Sequence, residues 1–261
     1  TGEKRWAHLT RDWITNTPAL SGNLLAVSSL DTQVTIYDTD TGKKRFSFRG
    51  FGQPIQASPI IVEDSIYVSG RNGLLTSVNL KEKEVLFESR VYRAKTQLWW
   101  WGMIGNPGLP KGVNWGTQLG ATISETPAAY DDKVYVPTED GKLHAIDRFT
   151  GDILWTYNAG IKVDARVAEI RSQVKAGDLT QADAARELAA VRADTLSYST
   201  PTVVDDVLLM GDNNGMLHAI DLDNGEEQWA LQITENAFST PVLAGGILYL
   251  ASEDGTLYAV E

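Results

Sequence analysis

Five Ser/Thr-Pro pairs, with their prolines at Pro18, Pro59, Pro127, Pro201 and Pro241, open five copies of one pattern. Fourteen residues after each proline stands a tight-turn residue: Thr32, Gly73, Gly141, Gly215 and Gly255. Twenty-eight residues after the first four prolines stands an aromatic: Phe46, Phe87, Trp155 and Trp229. A chain with such a repeat is built from copies of one supersecondary unit, because each unit must bury its faces against the next. The third copy shows what the unit is. Ala128 to Tyr130, Lys133 to Thr138, Lys142 to Asp147 and Asp152 to Tyr157 are short apolar stretches separated by Asp131-Asp132, Glu139-Asp140-Gly141 and Thr150-Gly151. Asp, Asn and Gly supply the left-handed or side-chain-bonded conformations of hairpin turns, so the unit reads as four antiparallel strands. The inner stretches Val134 to Val136 and Val207 to Met210 lack in/out alternation. That pattern fits sheets covered on both faces by neighbouring sheets.

The fifth copy stops at Glu261 before its last strand, while residues 1–9, TGEKRWAHL, match residues 224–232, NGEEQWALQ, with Trp6 standing for Trp229. The expected architecture is therefore a single all-β domain over residues 1–261. It is a five-bladed β-propeller of four-stranded antiparallel blades, closed by the N-terminal strand, with an inserted helical hairpin. Thr1 begins inside a repeat, which leaves room for an upstream segment outside the given sequence.

Two steps of the repeat are long. Successive prolines are 41, 68, 74 and 40 residues apart. The excess is assigned to the links between the last strand of one unit and the first of the next, at about 93–124 and 163–193. In an up-and-down sheet that link leaves from the end carrying the second turn, so both insertions are expected on one face. The first holds Trp99, Trp100, Trp101 and Trp115 among Gly102, Gly105, Pro107, Gly108, Pro110 and Gly112. The glycines and prolines make it a shaped loop, and tryptophan anchors suit a partner-binding surface. The competing reading is a plug in the central channel. The second insertion places Val163, Val167, Ile170 and Val174 on one helix face, breaks at Gly177-Asp178, and restarts at Thr180 with Asp183 at the third helical position. It is read as a helical hairpin, either a wall for a partner or a lid folded on the sheets.

The remaining residues offer little chemistry. His144 and His218 occupy equivalent repeat positions and His8 lies in the N-terminal strand, so no histidine metal site is expected. Glu63-Asp64, Asp131-Asp132 and Asp205-Asp206 look like acid/base pairs, but all sit at the first turn of a unit and read as solvated turn residues. Asp147 and Asp221 are also repeat-equivalent. Lys+Arg 23 against Asp+Glu 34 gives a net charge of -11, which repels phosphate backbones and argues against nucleic acid. The absence of cysteine excludes disulfides, thiolate metal sites and cysteine nucleophiles here, and puts any lipid-anchoring cysteine outside this chain. No cofactor and no metal are expected.

AIDRFTGDILW (145–155) and AIDLDNGEEQW (219–229) resemble the tryptophan-docking repeat of PQQ-type quinoprotein propellers, and VEDSIYVSGRNGLLTSVN and LAGGILYLASEDGTLYAVE fit the rest of it. That family includes PQQ-dependent dehydrogenases and non-catalytic BamB-like members. The enzymes' vicinal cysteines are absent from this chain and their calcium set cannot be placed on it. The resemblance therefore implies the non-catalytic side: a protein-binding scaffold of the bacterial cell envelope, periplasmic or otherwise extracytoplasmic, with any membrane tether outside this chain. The expected site is Trp99, Trp100, Trp101 and Trp115. An enzyme, as a reduced quinoprotein or a carbohydrate-active propeller, and the sensing domain of a larger receptor stand as alternatives.

Overall fold

A computed structural model describes residues 2–49, 54–81, 94–95, 97–99, 101–105, 108–158, 161–186, 197–234 and 239–261. Nineteen strands form five antiparallel sheets among the described residues. The first sheet runs β1 (Ala19–Ser21), β2 (Leu24–Ser28), β3 (Gln33–Asp38) and β4 (Lys44–Arg49) in sequence order. The second runs β5 (Ile60–Val62), β6 (Ser65–Ser69), β7 (Leu74–Asn79) and β8 (Val113–Gln118). The third holds β9 (Ala128–Tyr130), β10 (Lys133–Thr138), β11 (Lys142–Asp147) and β12 (Ile153–Asn158), and the fourth β13 (Thr202–Val204), β14 (Val207–Gly211), β15 (Met216–Asp221) and β16 (Glu227–Gln232). The fifth has three strands: β17 (Val242–Ala244), β18 (Ile247–Ala251) and β19 (Leu257–Val260).

The turns form as their residues require. Strands one and two of each sheet are joined by two residues, and Glu63, Asp131 and Asp205 take φ of 52°, 53° and 50° in that turn. A two-residue hairpin that follows the strand twist needs such left-handed residues, which Asp and Glu adopt here in place of the usual Asn or Gly. The acidic pairs are thus hairpin turns, as their repeat position indicates.

The chain divides into two units, Thr1–Val134 with Ile146–Ile153, and Tyr135–Ala145 with Leu154–Glu261. In the first unit, Ala26, Val34, Ile36 and Phe48 of the first sheet pack with Ile66, Val68 and Val78 of the second. In the second unit, Leu209, Leu217 and Ala219 of the fourth sheet pack with Leu248 and Leu250 of the fifth. Middle strands such as β3 and β10 are buried at five consecutive positions, which is why their sequences carry no alternation.

Three expectations change. The fourth strand of the second sheet is β8, not the stretch around Phe87, which lies outside the described residues. The first insertion therefore interrupts the sheet between β7 and β8 instead of linking two sheets. In its own sheet it leaves from the end carrying the first turn, whereas the second insertion follows β12 and leaves from the end carrying the second turn. The premise of the single-face expectation, that each insertion links one sheet to the next, does not hold for the first insertion. Residues 2–10 form no strand among the described residues, and β19 has a pairing partner on one side only.

The second insertion is helical. Helix α1 spans Ile161–Ala176, Ile170 on it is buried, and Gly177 at φ 85° closes it. A second helical stretch at 181–186 starts on the expected cap. The Thr180 hydroxyl donates to Asp183 Oδ2 (2.6 Å) and accepts from the Asp183 N–H (3.1 Å). Leu188 and Val191, whose spacing from Ala184 in the sequence would continue an apolar helix face, lie outside the described residues.

The irregular second turn of the first sheet gives a test. Thr32 holds φ 71°, where Gly73, Gly141, Gly215 and Gly255 hold 77°, 76°, 78° and 85°. Left-handed backbone costs a non-glycine residue about 1–2 kcal/mol, and glycine returns roughly 0.5–1 kcal/mol of that as unfolded-state entropy. Thr32→Gly should raise stability by up to about 1 kcal/mol in urea unfolding. A lower midpoint would show that the threonine side chain compensates its own strain.

Candidate functional site

The four tryptophans expected to form one site are not equivalent. Trp115 lies in β8, only 5% exposed, with its indole N–H donating to the Arg148 carbonyl at 2.9 Å. Trp155 in β12 does the same to the Leu222 carbonyl at 3.2 Å, and Trp6 to the Thr39 carbonyl at 3.2 Å. Each ring lies on the third turn of a sheet, against the glycine of the Thr/Asn-Gly pair. A Cβ placed on Gly42, Gly151 or Gly225 would come within 2.5–2.7 Å of Trp6, Trp115 or Trp155. Those glycines also hold φ of 68°, 81° and 73°. The turn must therefore be both left-handed and bare for the indole to lie flat on it. Trp115 is a packing residue of the repeat and not part of an exposed site.

Neighbouring groups repeat around two of these contacts. The Tyr67 hydroxyl donates to the Arg148 carbonyl (3.3 Å) and the Tyr135 hydroxyl to the Leu222 carbonyl (3.4 Å), each tyrosine ring 5.7 Å from its tryptophan. Two residues beyond Trp115, Thr117 donates to the Gly151 carbonyl (2.5 Å), and two beyond Trp6, His8 Nε2 donates to the Gly42 carbonyl (2.6 Å). The turns are held open by the aspartates that precede them. Asp38 Oδ1 accepts from the Thr41 N–H and hydroxyl, Asp147 Oδ1 from the N–H groups of Phe149 and Thr150, and Asp221 Oδ1 from those of Asp223 and Asn224. The Thr41 N–H, together with the Arg45 guanidinium, holds the Asp38 carboxyl at about 2, and the Thr150 N–H lowers Asp147 likewise. These acids shape turns. Trp229 stands at the same position in β16 yet is 45% exposed.

The spacing carried a signal for Trp115. It precedes Pro127 by 12 residues, as Trp229 precedes Pro241 and, within one residue, as Phe46 precedes Pro59. Phe87 breaks that spacing.

Trp99 and Trp101 form the exposed remainder of the expected site; Trp100 lies outside the described residues. Residues 94–95 and 97–99 are helical, and the chain then turns tightly, with the Trp101 N–H on the Gln97 carbonyl (3.1 Å) and the Gly102 N–H on the Trp99 carbonyl (2.8 Å). Trp99 is 41% and Trp101 63% exposed, and Met103, Ile104 and Leu109 nearby in sequence are exposed too. This is a run of large apolar side chains facing water on a segment that the sheet does not need for pairing. Such a run has the composition of a recognition surface. Among the described residues, no group of three or more His, Asp or Glu is placed to hold a metal ion.

The family model described as outer membrane protein assembly factor BamB matches residues 1–98 and 110–261. The outer membrane protein assembly factor BamB of Burkholderia pseudomallei is 23% identical over 236 residues, a match covering 86% of this chain and 57% of that protein. The crystal structure of BamB from Moraxella catarrhalis superposes with a TM-score of 0.67 at 17% identity, covering 98% of this chain and 63% of that one. The computationally designed protein Ika8 gives a TM-score of 0.61 at 12% identity, covering 93% and 57%. The chain thus spans roughly three fifths of the length of these relatives, and the structural likeness shows an all-β, propeller-type fold.

Two measurements check the packing. Gly225→Ala puts a Cβ into the Trp155 ring on left-handed backbone, and should cost at least about 2 kcal/mol by thermal or urea unfolding. A cost under 0.5 kcal/mol would mean that the indole slides off freely. For Asp38, the folded carboxyl is depressed from the ordinary aspartate value of 3.8 to about 2, so its contribution is present above 3.8 and lost as pH falls from there to about 2. Asp38→Asn should lower stability at neutral pH and flatten the stability–pH curve across that window. An unchanged acid limb would show that the turn does not depend on the ionised carboxylate.

Proposed function

Since this chain belongs to the family of the outer membrane protein assembly factor BamB, we propose that it serves as a non-catalytic, protein-binding scaffold of the bacterial cell envelope. The reading places it outside the cytoplasm, in outer membrane protein assembly, with a protein partner meeting the segment that carries Trp99 and Trp101. The observation that carries the reading is the exposure of those two indoles on an insertion between β7 and β8. A loop of five residues joins the corresponding strands β11 and β12 in the third sheet. Ordering the longer insertion costs on the order of 1 kcal/mol per residue of backbone entropy, and burial of its indoles against a partner offsets part of that cost. A channel plug would bury its tryptophans within the protein, and Trp101 is 63% exposed.

The acids support a scaffold reading over catalysis. Glu63-Asp64, Asp131-Asp132 and Asp205-Asp206 are consumed by hairpin turns, and Asp38, Asp147 and Asp221 by third turns. The helical insertion follows β12 of the third sheet and not the β7–β8 connection, so the partner surface proposed here is the Trp99–Trp101 segment alone.

The test is a photo-crosslinking amino acid at Trp101 in cells, with the captured envelope protein identified and its affinity then measured with purified components. Replacing Trp99 and Trp101 with serine should weaken that complex by at least about 2 kcal/mol, roughly 30-fold in Kd. The melting temperature should stay within a few degrees. Unchanged affinity, or a collapsed melting temperature, would make the segment a packing element and remove the proposed surface.

A further inference from the structure

The residues that bracket the helical insertion meet at one buried histidine. Tyr157 is the next-to-last residue of β12, where the chain departs for α1. Tyr198 lies on its return, bridged in antiparallel fashion to Asp212, with the Asn213 N–H on the Ser197 carbonyl (3.1 Å) and the Ser199 N–H on the Gly211 carbonyl (2.8 Å). Both tyrosine rings pack on the imidazole of His218, at 6.0 Å and 5.8 Å between centroids. His218, Tyr198 and Asp212 are buried, and the Glu227 side chain is 38% exposed.

The hydrogen bonds fix what the imidazole must be. His218 Nδ1 is 2.8 Å from Glu227 Oε1, and Nε2 is 3.3 Å from Asp212 Oδ2. Asp212 Oδ1 meanwhile accepts from the N–H groups of Asn214 (2.9 Å) and Met216 (2.8 Å). Carboxylates only accept, so two of them facing the two ring nitrogens call for two N–H donors, and only the imidazolium has both. The Tyr157 hydroxyl donates to Glu227 Oε1 (2.7 Å) but also lies 3.2 Å from His218 Nδ1. A neutral ring carrying its proton on Nε2 would offer Nδ1 as an acceptor, and Tyr157 is already within reach of it.

We propose that His218 is a pH-dependent clamp on the base of the helical insertion. Protonated, it ties Glu227 and Asp212 together under Tyr157 and Tyr198. Deprotonated, with its remaining proton on Nε2, it takes the Tyr157 hydroxyl onto Nδ1, the charge-assisted bonds to Glu227 and Asp212 are lost, and the base of the insertion is held to β15 and β16 by neutral contacts, which open more readily. The groups bearing on the ring are Asp212 from the turn before β15, Glu227 from β16, Tyr157 from β12 and Tyr198 from the bridge before β13. Burial disfavours the cation, but Asp212 and Glu227 outweigh it and raise the His218 pKa above 6.5. The clamp is therefore complete below that value and is lost as pH rises through the raised pKa. His144, one repeat earlier, has Thr138 and Ile153 where His218 has Asp212 and Glu227, and burial pushes its pKa down. The clamp is a feature of this one sheet.

The experiment is hydrogen exchange of the α1 backbone from pH 6 to 9, corrected for intrinsic rates, beside NMR titration of the three imidazoles in the full chain. His218 is assigned by its loss in His218→Gln. The wild type should open its insertion base more with rising pH, by up to about tenfold per pH unit across the His218 titration, the limit for a single linked proton. His218→Gln should show no such dependence. Glu227→Gln, which keeps the fold if His218→Gln does not, should lower the His218 pKa and move the opening to lower pH by the same interval. Titration of His218 at or below 6.5, or α1 exchange with the same pH profile in wild type and either variant, would overturn the proposal.

Discussion

An indole ring lying on a turn that carries no Cβ is the contact on which the repeat depends. It explains why the third turn combines a left-handed glycine with an aspartate that gathers the turn's N–H groups, as at Asp147 and Gly151. It also explains why the tryptophan sits in the outermost strand, the one free to reach beyond its own sheet. A backbone carbonyl at the same turn takes the indole N–H, so the ring is fixed in direction as well as buried. Four short strands without this contact would expose one face of a two-sided sheet. With it, the third sheet supplies both a ring, Trp155, and a receiving turn at Gly151, and the same chemistry is used at the turns of the first and fourth sheets.

Much of this was legible in the sequence because it is local. The turn residues mark their own conformations, Thr32 stands out as the exception it proves to be, and the Thr180–Asp183 cap forms as written. The second sheet departs from the expected pattern because Phe87 satisfies the strict period while three adjacent tryptophans draw Trp115 into their loop. Counting backwards from Pro127 separates Trp115 from Trp99 and Trp101. Whether an indole is covered is not a property of its neighbours in sequence, so the exposure of Trp101 and the burial of Trp115 needed the structure.

The His218 group was illegible for a related reason. Its members come from β12, the segment after the helices, a turn and β16, and Tyr157 and Tyr198 are separated by the whole insertion. In the repeat frame His144 and His218 are the same residue. What distinguishes them is Asp212 and Glu227, which read in the sequence as solvated acids until the fold brings them to the ring.

The placement of β8 also sets an order in time. In the third sheet the outer strand follows β11 after five residues, so it can pair almost as soon as it is made. In the second sheet 33 residues separate β7 from β8, and closing that longer loop costs roughly 2 kcal/mol more in chain entropy. Sheet two must therefore wait, three strands wide, until the insertion has emerged and Trp115 arrives at the edge of β7. By then the third sheet's turn at Arg148–Gly151 is only 33 residues further along the chain. The second sheet is completed from outside, by a strand that its successor helps to hold.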